Sequence, residues 1–222
     1  MFERNKDSFS LSEQLKLHKS TVAIIGVGGG GQIVAEILVR SGIGNLILID
    51  GDKFEESNKN RQLYADNTSL NKYKVDTAWN HLTDISAHIK IKYYNDYLNL
   101  DNYKKYLTSN IDIICDTVDR RNNKFLVSEI AQKIDKPYVT GGCGNYRSWA
   151  AIITNNSKYS TKDILDNPGH SLSPSTTNVF IQGAIQAQCI IDYLLNRNQN
   201  IYNKVIRFNL QTLTSIVTDI KI

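Results

Sequence analysis

The sequence predicts a doubly wound α/β fold with a mostly parallel sheet and a β-rich C-terminal tail. Three observations carry this. "TVAIIG" (21–26) and "NLILID" (45–50) are short β-branched runs of the kind that form strands buried on both faces. Between them "GQIVAEILVRSG" repeats apolar residues at helical spacing and stops at Gly42, a favourable helix end. Strand, glycine turn, helix and strand within about thirty residues make a Rossmann-like βαβ unit with a right-handed crossover.

The remaining elements follow in order. "NKYKVDTAWNHLTDI" (71–85) places Val75, Ala78, Trp79 and Leu82 at helical spacing, and "KIKYYNDYL" (90–98) reads as a third strand. "LDNYKKYL" reads as a short helix and "IDIICDTVD" (111–119) as a fourth buried strand. "NKFLVSEIAQKI" (123–134) is a helix that ends before Pro137, and "PYVTGGCG" and "SWAAIIT" are extended. Asn155–Asn178 is polar and holds two of the three prolines, so it reads as a crossover loop with at most one helical turn. "VFIQGAIQAQCIIDYLL" (179–195) is an apolar helix, and residues 204–222 read as two closing strands. The expected organisation is one domain over 1–222, with an N-terminal helical arm at 1–20.

Bulk properties narrow the function classes. A hydrophobic content of 41% without a long apolar run excludes a membrane span of ordinary kind. The opening "MFERNKDSFSLSEQLKLHKS" is polar and carries acids, unlike a secretory or transit segment, so a cytoplasmic location is expected. The net charge of +4 comes without a polybasic block, which permits an anionic ligand such as ATP or tRNA without demanding one. Cys115, Cys143 and Cys189 form no CxxC pair, which argues against a structural zinc site. Cys143 and Cys189 read as small buried apolar residues.

Gly26, Gly28, Gly29 and Gly31 fit GxGGxG, a loop whose backbone N–H groups can meet phosphate oxygens at a helix N-terminus. Alone, this pattern suits a dehydrogenase, a methyltransferase or an adenylating enzyme. Asp50, ending the second strand, suits ribose hydroxyls in any of them. "DGDKFEESNKNRQ" narrows the choice. It sets Asp52, Asn58, Arg61 and Gln62 just after that strand, and Lys74 follows. Arg61 and Lys74 suit the β- and γ-phosphates of a triphosphate, one as a planar fork and one as a point charge. Asp116 and Asp119 close the fourth strand at the carboxyl edge of the sheet, where an acid could hold Mg2+ against phosphates.

GxGGxG, "DGD…SNKNRQ", Lys74 and "DTVD" in this order resemble the ThiF/MoeB/HesA family, relatives of ubiquitin-activating enzymes, from about Arg4 to the C-terminus. The resemblance implies an ATP- and Mg2+-dependent adenylyltransferase. It would activate the C-terminal carboxylate of a small ubiquitin-like, sulfur-carrier-type protein ending in Gly-Gly. It assigns Asp50 to the ribose, Asn58, Arg61 and Lys74 to the phosphates and Asp119 to the metal. It also implies a homodimer in which Arg4 reaches the partner subunit's site. Where the family has Thr-Asp-Asn this chain has Val118-Asp119-Arg120, and the family's Arg on the next helix is Lys124. No cysteine stands in Asn155–Asn178, so the chemistry expected here stops at adenylation. Two rivals share the resemblance: an enzyme adenylating threonylcarbamoyladenosine in tRNA, and a non-catalytic subunit of a heteromeric activating enzyme.

Overall fold

The computed structural model describes residues 2–108, 110–165 and 174–220. Within them β1 (Thr21–Ile25), α2 (Gly29–Ser41), β2 (Asn45–Ile49), α3 (Lys74–Ile85) and β3 (Lys90–Tyr94) follow α1 (Leu11–Lys19). After α4 (Tyr103–Tyr106), β4 (Ile113–Asp116), α5 (Arg121–Lys133), β5 (Tyr138–Gly144) and β6 (Arg147–Ile153) come α6 (Thr161–Ile164) and α7 (Thr176–Leu195). β7 (Lys204–Asn209) and β8 (Thr214–Asp219) close the described chain. The eight strands form one sheet in the order β3-β2-β1-β4-β5-β6-β7-β8. The pairs from β3 to β5 are parallel, and those from β5 to β8 are antiparallel.

Strand periodicity explains the layering. Val22 and Ile24, Leu46 and Leu48, and Ile113 and Cys115 project to one face, into a core completed by α1, α2, α3 and α7. Their neighbours Ala23 and Ile25, Ile47 and Ile49, and Ile114 pack on the other face with Tyr106 of α4 and Val127, Ile130 and Ala131 of α5. Both faces are covered, so the strands read as continuous apolar runs.

Two turns fit their chemistry. Gly42 caps α2 at φ 95°, in the left-handed region that glycine enters without steric cost. Asn145 (φ 42°) and Tyr146 (φ 61°) form the two-residue turn of the β5–β6 hairpin, matching a primed turn.

Boundaries differ from expectation at several places. β4 covers Ile113–Asp116 only, not 111–119: the Val118 N–H turns to the Asp116 carboxylate, and Asp119 lies beyond the strand, before α5. α3 starts at Lys74, because Asn71–Tyr73 belong to a turn tied to Phe54 and bridged to Lys53. β3 ends at Tyr94, where the Asn95–Leu98 stretch leaves the sheet. α7 starts at Thr176 rather than Val179, because Ser175 caps it by accepting the Asn178 N–H, and its polar first turn resembles loop sequence. Of the expected crossover loop, residues 166–173 lie outside the described residues.

Candidate functional site

The strand order reverses between β1 and β4, and open α/β sheets form their ligand crevice at such a point. Here the crevice is a cleft of about 490 Å³. Gly26 (φ 90°) carries the chain from β1 toward α2, where an added Cβ would stand 3.0 Å from the Thr117 carbonyl oxygen at the end of β4. Gly28 precedes α2 without a capping side chain, so the first N–H groups of that helix lack the usual internal acceptor. A Cβ on Gly28 would meet nothing nearer than Gln62 Nε2, at 3.9 Å. The floor is therefore open there, as close approach of a ligand requires.

Of the residues singled out from sequence, Gly26, Gly28, Gly29, Asp50, Asp52, Arg61, Gln62, Lys74 and Asp119 line this one cleft. Asp50 is nearly buried. Its carboxylate accepts the N–H groups of Val27 (2.6 Å) and Asp52 (2.8 Å), leaving further lone pairs for a ligand. Burial pushes its pKa up, against the charge of Lys74. Lys74, itself buried, lies 2.8 Å from Asp52 Oδ2. Burial alone would raise Asp52, but hydrogen bonds from Lys74 and Tyr97 outweigh it and hold the carboxyl below its ordinary value. Arg61 donates to the Ser57 carbonyl (3.0 Å) and Asn60 Oδ1 (2.8 Å), which aims its guanidinium from the loop after β2. Gln62 is buried, and its Oε1 has no partner among the described residues. Asp119 is exposed at the rim.

Two expectations place differently, those for Gly31 and Asn58. Gly31 is outside the lining: a Cβ there would stand 2.0 Å from the Gly26 carbonyl oxygen, so it serves close packing of the turn. Asn58 is buried and uses Oδ1 to accept the Glu55 N–H at 3.1 Å, which shapes the loop that carries Arg61. Arg4 is exposed on a 3-10 turn whose neighbour Asn5 bonds the Arg40 carbonyl, at the far end of α2. The 13 residues of α2, at about 1.5 Å each, span about 20 Å, so Arg4 does not reach the cleft of its own chain.

The structure also adds residues that were given no role from sequence, although Thr117 and Arg120 stand in or beside "DTVD". Tyr97, Thr117, Arg120, Leu126 and Val127 share the walls. Arg120 stands where it helps to lower Asp52. Leu126 and Val127 belong to the apolar face of α5, so only helical spacing could have indicated them. Behind the cleft, Asp116 is fully buried and takes Lys124 Nζ (3.4 Å), the Thr140 hydroxyl (2.6 Å) and the Val118 N–H (3.1 Å). Cys143 is half-buried near Gln182, and burial pushes its thiol up to about 11.

No group of three His, Cys, Asp or Glu side chains is arranged to hold a metal among the described residues. Mg2+ does not need one: it is commonly held by one or two carboxylates, water and substrate phosphates, and Asp119 at the rim fits that habit. Among the described residues no helix is long and apolar enough to cross a membrane.

Comparison with known proteins agrees with this architecture. The chain is 32% identical over 142 residues to the adenylyltransferase and sulfurtransferase uba4 of Aspergillus niger, covering 64% of this chain and 29% of that protein. It is 30% identical over 139 residues to the tRNA threonylcarbamoyladenosine dehydratase of Bacillus subtilis, covering 63% of this chain and 55% of that enzyme. The chain thus spans only part of the length of these relatives. In fold it is similar to E. coli MccB, with a TM-score of 0.85 at 20% identity over 99% of this chain and 69% of that one. MccB has also been solved with ATP, and that structure aligns with a TM-score of 0.80 at 23% identity, over 94% of this chain and 66% of that one. The ThiF family pattern matches residues 2–222, and the chain belongs to the ThiF family.

Proposed function

We propose that this chain is an ATP- and Mg2+-dependent adenylyltransferase that activates the C-terminal Gly-Gly carboxylate of a ubiquitin-like, sulfur-carrier-type protein. The observation that carries the reading is the convergence of Asp50, Arg61, Lys74 and Asp119 on one cleft beside the open Gly28 floor. A carboxylate oxygen attacks the α-phosphorus, the bond to the β-phosphate bridging oxygen breaks, and pyrophosphate leaves with the bonding pair. The attacking group is already ionised, so no general base is required. Charge neutralisation and alignment carry the rate. Asp50 holds the ribose, Arg61 and Lys74 the β- and γ-phosphates, and Gln62 offers its unpartnered carbonyl oxygen to a ligand donor. Asp119 would hold Mg2+, which would supply further charge neutralisation of the phosphates. The raised thiol of Cys143 supports a reaction that ends at the acyl-adenylate.

The enzyme works in this reading as a cytoplasmic homodimer, with Arg4 completing the partner's site. An apolar groove between α2, α7 and the loop after β2, formed by Ile33, Ile37, Leu63, Phe180, Ile181 and Ala184, supports the dimer as a surface a second copy would cover. Phe180→Asp is then expected to yield a monomer by light scattering. A second reading, adenylation of threonylcarbamoyladenosine in tRNA, is favoured by the Bacillus relative. Exchange of labelled pyrophosphate into ATP, with Gly-Gly-ended carriers in one arm and modified tRNA in another, separates the two. Asp119→Asn is expected to retain ATP and lose Mg2+-dependent exchange. Absence of exchange in every arm sinks the adenylation reading.

A further inference from the structure

Tyr97 lies in the cleft wall between β3 and α4, with 62% of its surface exposed, so it contributes little to the core. Its position is nonetheless built. A Cβ on Gly51 would stand 2.7 Å from ring atom Cε2, so the absence of a side chain at residue 51 admits the ring. The Tyr97 hydroxyl donates to Asp52 Oδ1 at 2.5 Å, while the other oxygen, Oδ2, accepts from Lys74 Nζ at 2.8 Å. The Asp52 N–H in turn donates to Asp50 Oδ1. Asp52 is the open partner of the pair, with 49% of its side chain exposed against 8% for Lys74, so water competes for the carboxylate and leaves it freer to turn than the ammonium. A second, charge-assisted O–H···O⁻ bond on the opposite oxygen removes the freedom of the carboxylate to rotate.

We propose that Tyr97 is a positioning residue for the triphosphate: its hydroxyl fixes Asp52 in the orientation that presents the Lys74 ammonium to the β- and γ-phosphates. The proposal rests on the ATP reading given above. Without the hydroxyl, both carboxylate oxygens are free to follow Lys74, and the ammonium is held back from the nucleotide. The effect reaches only ligands that carry phosphates beyond the first. Tyr97→Phe keeps the ring over Gly51 and removes one oxygen from an exposed position, so the fold is preserved.

The test is calorimetric titration of the full chain with ATP and, separately, with AMP. Tyr97→Phe is expected to weaken ATP about tenfold, the loss of one charge-assisted bond, and to leave AMP unchanged. Gly51→Ala, which displaces the ring but keeps every polar group, is expected to give the same pattern. In a Lys74→Met background, Tyr97→Phe is expected to cause no further loss of ATP affinity. Equal losses for ATP and AMP would show instead that the ring contacts the nucleoside, and would overturn the proposal. So would unchanged ATP affinity, or an undiminished loss in the Lys74→Met background. Failure of the wild-type chain to bind ATP at all would overturn the underlying reading and the proposal with it.

Discussion

The Lys124 ammonium sits 3.4 Å from the carboxylate of Asp116, a residue with no solvent exposure at the end of β4. The same carboxylate accepts the Val118 N–H and the Thr140 hydroxyl, so the pair anchors the start of the loop that leads to Asp119. Breaking a buried pair by removing one partner leaves an uncompensated charge and costs about 3–5 kcal/mol. Lys124→Met is therefore expected to lower the unfolding free energy from urea titration by that amount, while Lys124→Arg keeps most of the stability. A loss below about 1 kcal/mol would mean that Thr140 and Val118 satisfy Asp116 without it.

Arg61→Ala and Lys74→Ala are expected to reduce pyrophosphate exchange by about a hundredfold or more each, the scale seen when one preorganised charge-stabilising donor is removed. Steady-state exchange with saturating carrier measures this. Activity within about twofold of wild type for both variants would remove the triphosphate from that end of the cleft.

Two glycines of one loop should respond in opposite ways. Gly31→Ala places a Cβ 2.0 Å from the Gly26 carbonyl oxygen and 2.8 Å from Thr117 Oγ1, and overpacking of this kind costs about 1–3 kcal/mol or more. Gly28→Ala finds open space, so its melting temperature should hold while nucleotide affinity falls. Thermal unfolding with and without ATP distinguishes them. Equal melting temperatures would show that the turn relaxes to accept a methyl group.

Burial favours the neutral form of Cys143 and sets its thiol at about 11. Alkylation of Cys143 by iodoacetamide should therefore be slow at neutral pH and rise about tenfold per pH unit until pH nears 11. In denaturant the rate should level off near the ordinary thiol value of about 8.5. Peptide mapping of the modified chain reads the site. A plateau near pH 8 in the folded protein would make Cys143 a candidate nucleophile.

The sheet was legible because its central strands are buried on both faces, so "TVAIIG", "NLILID" and "IDIICD" announce themselves without competition from polar residues. The start of α7 was not legible, since Thr176, Thr177 and Asn178 form a polar helical turn whose cap is also polar. Within the site, order along the chain was enough to find Asp50, Arg61, Lys74 and Asp119, which share the cleft. It could not separate residues that face the cleft from those that shape it. Gly31 and Asn58 belong to the second group, one by close packing and one by capping a loop. Tyr97 was hidden for another reason: it falls in a run that alternates like a strand, and its partner Asp52 is 45 residues away.

The reversal of strand order between β1 and β4 has a thermodynamic corollary. The lining runs from Ile25 to Val127 and draws on the ends of separate strands, helices and loops, so no local segment contains a binding-competent fragment. Recognition of a ligand then requires the assembled sheet, and occupancy of the cleft is linked to cooperative unfolding. A ligand at about a hundred times its dissociation constant adds about 2.7 kcal/mol to the native state. On the proposed ATP reading, the nucleotide supply in the protein's surroundings then sets part of the chain's stability against unfolding.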